Sequence, residues 1–247
     1  MEIRCSKEMR LSNAEKAVID YINAQQGVLE LFSIGDVARG AYVSLATVSR
    51  AIRKCGFTSF SEMKFRLSEE QKGDKQSAEM NKILLKSYSE CLETIKRIDI
   101  SATIDIASRM RRARTVYLLA NGLTALVANE FAIQLQCQKI PVCQISDSEM
   151  MRKMDLLASA GDLVLILSVK NSTPELAIGA RLAKKMGAEV ALCCCTQGTV
   201  LDELADVAVY GCSQSIATNR IFGGTSRIGL QIITRTIVEY LNSSLSQ

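Results

Sequence analysis

Between Leu45 and Lys54 the sequence L-A-T-V-S-R-A-I-R-K sets hydroxyls, guanidiniums, an ammonium and two small or aliphatic side chains at helical spacing. That is the chemistry of a surface that reads duplex DNA. In the major groove Arg50 can grip a guanine edge, Thr47 and Ser49 can hold phosphates, and the apolar Leu45 and Ala46 can touch a thymine methyl. Val48 and Ile52, four apart, fall on one face of such a helix, while Arg50, Arg53 and Lys54 fall on the other. A second set of polar residues lies far along the chain, in A-N-G-L-T-A (Ala120 to Ala125) and S-V-K-N-S-T-P-E (Ser168 to Glu175). Asn121, Gly122 and Thr124 in the first, with Ser168, Lys170, Asn171, Ser172 and Thr173 in the second, offer hydroxyls, amides and one ammonium. Thr173 suits an N-cap, Pro174 the first helical position and Glu175 the positive end of the helix dipole, so the group fits a small anion beside free helix amides.

Two short capped helices around a tight turn are needed to present the first set. Ser33, with Asp36 three residues on, opens one helix whose Val37 and Ala38 face inward, and Ser44 opens the next. This is a helix-turn-helix. A helical hairpin with a merely solvated basic face would need fewer of these features. The turn carries Tyr42 where positive φ would favour glycine, a substitution expected to cost about 1 kcal/mol or more and to alter the turn. Ser12 and Glu15 form a capping box for a preceding helix to about Ala24, and Phe60, Met63 and Leu67 share a face of a following one. The polar run Glu69 to Ser77 reads as a linker. We therefore expect a DNA-binding domain at residues 1–72, a linker at 73–77 and a second domain at 78–247.

The second domain begins with helices at about 78–98, where Ile83, Leu84, Cys91 and Ile95 recur at helical intervals, and 101–113. Continuous apolar runs then appear at 116–120, 140–145, 163–167, 190–195 and 207–210, separated by segments of helix length. Uninterrupted apolar strands alternating with helices predict a doubly wound α/β fold of about five parallel strands. Its ligand crevice lies at the carboxyl ends of the strands, so the loops after the first and third strands are where the second polar set should converge.

Composition sets limits. The net charge of +4 is small, and residues 1 to 72 hold 11 Lys and Arg against 9 Asp and Glu, so any DNA footprint depends on local placement. The chain has no His, which removes Ser-His, Cys-His and zinc-His chemistry. Its 9 Cys, three of them consecutive at 193–195, show no C-x-x-C spacing and read as reduced, buried small hydrophobes of a cytoplasmic protein. No apolar leader and no membrane-length apolar run are present.

The order of parts resembles the RpiR-type transcription regulators, a helix-turn-helix domain joined to a SIS (sugar isomerase) domain. The resemblance rests on V-S-x-A-T-V-S-R (Val43 to Arg50), G-F-T-S-F-S-E-M-K-F-R-L (Gly56 to Leu67), A-x-x-L-A-K-K-M-G-A-E-V (Ala180 to Val190), L-A-D-V-A-V (Leu204 to Val209) and Ser226-Arg227. It implies a flavodoxin-like strand order in the second domain, double-stranded operator DNA as partner, a small anionic sugar-like effector, and a homodimer or homotetramer, with no cofactor and no catalysis. The family's sugar-phosphate loops resemble G-x-G-x-S and S-x-S-G-x-T. Here Ala120 replaces the first glycine, Lys170 a serine and Asn171 a glycine, which alters the pocket or closes it. Two other readings stay open. A SIS-class isomerase would need a carboxylate base such as Glu149 or Glu130, and dinucleotide binding at A-N-G-L-T-A would need Asp147 as its acidic partner.

Overall fold

The first helix, α1 (Asn13–Ala24), starts at the expected reciprocal cap, in which Ser12 Oγ accepts the amide of Glu15 and Glu15 accepts the amide of Ser12. The computed structural model describes residue 3, residues 11–25, residue 29, and residues 32–70, 75–215 and 224–243. It divides into two units, Met1–Ser89 and Glu90–Gln247.

In the first unit α2 (Ile34–Gly40) and α3 (Leu45–Lys54) follow α1, and α4 (Phe60–Glu70) closes the bundle. Val18, Ile22, Val37, Val48, Ala51, Ile52 and Met63 are buried together. Each large side chain so buried stabilises the domain by roughly 1.5–3 kcal/mol. The inner face of α3 is thereby fixed, and its outer face with it. The next helix, α5 (Lys75–Arg97), begins within the expected linker, so residues 75–77 are helical; 73 and 74 lie outside the described residues. The division between units falls inside this helix rather than at its start. Its apolar residues Ile83, Leu84 and Ile95 are exposed, whereas Glu90 and Thr94 are buried.

The second unit continues with α6 (Ile100–Arg112), β1 (Val116–Leu119), α7 (Thr124–Cys137), β2 (Val142–Ile145), α8 (Ser148–Met151) and α9 (Met154–Leu157). Then come β3 (Leu163–Ser168), α10 (Pro174–Lys185), β4 (Glu189–Cys194), α11 (Val200–Leu204), β5 (Val207–Tyr210) and α12 (Ile228–Ser243). The strands form one all-parallel sheet in the order β2-β1-β3-β4-β5, with Val116 paired to Leu163 and Leu163 to Glu189. Alternate residues of the central strand serve opposite layers: Leu163, Leu165 and Leu167 pack under α6, α7 and α12, and Val164 and Ile166 under α8 to α10. Burial on both faces explains why β1, β3 and β4 read as unbroken apolar runs, whereas β2, at the sheet edge, has Cys143 exposed and Gln144 half-buried.

Seven of the cysteines are free, as expected, but Cys55 at the carboxyl end of α3 is disulfide-bonded. Burial pushes the Cys194 thiol up to about 11 and that of Cys195 to about 12, so both stay protonated and inert near neutrality. Among the described residues no group of His, Cys, Asp or Glu could hold a metal ion, and no helix is long and apolar enough to cross a membrane.

Candidate functional site

The first site is the outer surface of α3. Ser33 caps α2: its Oγ accepts the Asp36 amide at 3.2 Å and donates to Asp36 Oδ2 at 2.6 Å. The Ser33 hydroxyl and amide hold the Asp36 carboxyl below its usual range. Helix α2 ends in a Schellman arrangement, in which Val43 N donates to Ala38 O and Tyr42 N to Arg39 O around a left-handed residue. That residue is Tyr42, at φ 55°. The turn therefore keeps the geometry that glycine would give, with a tyrosine in its place, contrary to the expected change of shape. Gly40 meets a different need, because a Cβ there would lie 2.1 Å from Tyr21 Cζ.

Ser44 caps α3 by accepting the Thr47 amide at 3.2 Å. Ser44, Leu45, Ala46, Arg50 and Arg53 are exposed and Ser49 is half-buried. Ala46, Arg50 and Arg53 stand at i, i+4 and i+7, one stripe along the helix, with Leu45 and Ser49 beside it. Two expected members are drawn away. Thr47 is only 9% exposed, with its Oγ1 2.9 Å from Ser44 Oγ and 3.4 Å from Arg50 Nη2, so it orients the arginine instead of facing solvent. Lys54 donates to Glu15 Oε2 at 2.7 Å, joining α3 to α1. That hydrogen bond, helped by the Ser12 amide, lowers the Glu15 carboxyl to about 2. A lysine on the polar side of a helical wheel was legible, but its partner 39 residues earlier was not.

The second site lies where β1 and β3 run side by side and their connections leave in opposite directions, the position at which open α/β sheets bind ligands. A cleft of about 210 Å³ opens there, lined by Asn121, Thr124, Ser168, Lys170, Ser172, Thr173, Thr225 and Arg227 over Leu167, Val169 and Leu176. Six of the eight residues expected from the loops are thus brought together. Thr173 stands at the N-cap of α10 without a side-chain capping bond, so its hydroxyl remains on the cleft wall. Lys170 stands exposed at the rim, and its stem does not fill the space.

Gly122 and Asn171 do not line the cleft; they shape its loops. Gly122 takes a left-handed φ of 59° and its amide donates to Asn121 Oδ1. Asn171, at φ 54°, fills the glycine-like position of the β3 loop. Its amide donates to Ser168 Oγ at 3.0 Å, and its Nδ2 turns away to Thr196 O and Thr199 Oγ1, both at 3.1 Å. The side chain clamps the loop to the start of α11 through Nδ2, while its Oδ1 is buried without a hydrogen-bond partner.

Thr225 and Arg227 were not expected in the cleft. They arrive because α12 begins against the exit of β5: a Cβ on Gly229 would lie 2.3 Å from Cys212 O, so only glycine lets the two backbones cross this closely. Arg227 is half-buried, donates from Nη1 to Thr225 O at 2.7 Å, and has a buried Nε with no hydrogen-bond partner. Burial pulls its pKa down. The signal available in the sequence was electrostatic, since an arginine at the amino end of a helix opposes the helix dipole. Among the described residues no carboxylate lines the cleft, and its charged members are Lys170 and Arg227.

The other two chemistries find no support in this geometry. Asp147 caps α8 by accepting the Met150 amide at 2.8 Å, and the cleft is smaller than the roughly 300–1,000 Å³ of pockets for larger ligands. Glu149 and Glu130 are exposed and outside the cleft.

Comparison with known proteins gives concordant matches. The pattern of the helix-turn-helix domain of the rpiR family matches residues 2–73, and that of the SIS domain residues 109–237. The transcriptional regulator HexR of Pseudomonas aeruginosa is 27% identical over 194 residues, 73% of this chain and 67% of its own. The structure of the Vibrio vulnificus NanR protein complexed with ManNAc-6P aligns at TM-score 0.60 and 22% identity, covering 95% of this chain and 88% of that one. Phosphoheptose isomerase GmhA from Neisseria gonorrhoeae shares the fold of the second unit at TM-score 0.54 and 12% identity, covering 66% of this chain and 99% of that one.

Proposed function

Because the chain belongs to the rpiR family of helix-turn-helix transcriptional regulators and carries a SIS domain, we propose that a small anionic sugar, phosphorylated or acidic, binds its second-unit cleft and switches operator binding. The observation that carries this is the lining of the cleft: hydroxyls, an amide and two cations, with no acid among the described residues. An anion there would gain charge-assisted hydrogen bonds and offset the cost of a half-buried guanidinium with an unpartnered Nε. The sugar phosphate bound to the NanR neighbour is a ligand of this kind. Asn121, Thr124, Ser168, Ser172 and Thr173 hold the ligand, Lys170 and Arg227 supply charge, and Gly122 and Asn171 keep the loops in place.

DNA is held by Ser44, Leu45, Ala46, Ser49, Arg50 and Arg53, with Ser33 and Thr47 fixing the ends and orientation of the helices. Two such helices are needed for a palindromic operator, so the working unit is a homodimer or homotetramer in the cytoplasm. Exposed Leu126 and Ile133 on α7 provide apolar surface for assembly. Isomerisation would need a base in the cleft; the sequence has no histidine and no carboxylate lines the cleft among the described residues, which favours regulation over turnover.

A thermal-shift panel of sugar phosphates, acidic sugars and their neutral parents tests the effector, in parallel with Lys170→Ser. Phosphates should stabilise the wild type well above the neutral sugars. Stabilisation of the variant alone would mean that Lys170 blocks the cleft. Sedimentation of the full chain at micromolar concentration should show a dimer or larger; only monomer would remove the assembly from the proposal.

A further inference from the structure

The amino end of α3 carries an apolar cluster that the protein itself does not use. Tyr42 is 95% exposed and Leu45 53% exposed, and Ala46 beside them is exposed as well. Tyr42 holds a left-handed φ that glycine would adopt without strain. Among the described residues no packing offsets that strain, since the ring is almost wholly exposed. The cluster is continuous with the Arg50 and Arg53 stripe, on the outward side of the helix whose inner side is Val48, Ala51 and Ile52.

We propose that Leu45, Ala46 and Tyr42 form a reader of thymine methyl groups, placing at least one thymine in each operator half-site next to the base contacted by Arg50. This rests on the DNA-binding reading above. Among the features that base pairs present in the major groove, the C5 methyl of thymine is the apolar one, and the minor groove has no counterpart. Leu45 and Ala46, as the first two residues of α3, enter deepest into the groove when the amino end of a recognition helix meets base edges. Tyr42, two residues before the cap, extends the apolar surface toward the flank of the same strand. Contact with the methyl removes apolar area from water on both partners, without altering any hydrogen bond or counterion.

Replacement of thymidine by deoxyuridine deletes the methyl and leaves base pairing intact, so it tests the proposal directly. The full chain is used to enrich duplexes from a random pool, and the enriched duplex is then made with deoxyuridine at each thymine in turn. At one or more half-site positions the wild type should lose about fourfold in affinity per methyl removed, with an unchanged salt slope. Leu45→Ser should bind the two duplexes alike. Tyr42→Gly should melt at higher temperature than the wild type and lose part of the discrimination. Equal binding of both duplexes by the wild type, or full discrimination retained in Leu45→Ser, would overturn the proposal. So would variants that alter sedimentation while discriminating normally, because the cluster would then be a contact between copies. Failure to enrich any duplex would instead overturn DNA binding itself, and this proposal with it.

Discussion

Arg50 and Arg53 separate two roles that a count of basic residues merges. Thr47 Oγ1 lies 3.4 Å from Arg50 Nη2 and orients that guanidinium, whereas Arg53, three residues on, is exposed on the same stripe. Arg50→Ala should therefore cost about 1–3 kcal/mol on the enriched duplex and little on a random one. Arg53→Ala should weaken both duplexes and reduce the salt slope by about 1. Titrations of both duplexes over a salt series measure this; equal losses for Arg50→Ala would make it a phosphate contact. At this scale the sequence is a good guide to residue type and a poor one to commitment. The hydroxyls and cations of both sites were visible, but the bonds that withdraw Lys54 and Asn171 depend on distant partners that only folding supplies, whereas Thr47 turns to its own helix neighbours Ser44 and Arg50. Arg227 was singled out with Ser226 as a matching motif but not placed in the cleft, because its position there follows from the entry of α12.

Among elements, the contact of α1 with α3 has a chemical clasp in Glu15 and Lys54. Glu15 is 5% exposed and lies within reach of both the Lys54 ammonium and the Ser12 amide. Its carboxyl titrates at about 2 in the folded domain against an ordinary value of 4.5, so the folded form is favoured fully above about pH 4.5. The contribution fades as pH falls from there toward 2. Lys54→Met should lower the melting temperature of the first unit at pH 7, and the gap to the wild type should narrow as the pH falls through that window. Melting curves at several pH values check this, and a constant gap would deny the ion pair its role. The elements themselves were largely legible: all five strands lie within a residue or two of their apolar runs, and β3 and β4, buried on both faces, have no polar alternation to confuse their limits. Helix α5 was not. Its polar first turn resembles a linker, and its apolar stripe faces outward while Glu90 and Thr94 are buried, so periodicity identified the helix without identifying its inner side.

For the whole molecule, each unit has its own core, and the two sites belong to different units. Substitutions can therefore be sorted by which response they abolish. Gly229 shows how that sorting can mislead. An alanine there would drive a methyl group into Cys212 O, and the strain, about 1–3 kcal/mol by the usual cost of overpacking, is relieved by moving the start of α12 or the chain at Cys212. Arg227, two residues earlier, would move with it. Gly229→Ala should leave affinity for the enriched duplex unchanged and blunt its release by a sugar phosphate, as measured by titrating the pre-formed complex. Normal release would show that the crossing has room to spare. In a saturation mutagenesis scored by induction alone, Gly229 would rank with the residues of the cleft wall, although it has no side chain to offer a ligand. A map of the recognition surface drawn from such a scan would mark where the backbone is crowded as readily as where the sugar sits.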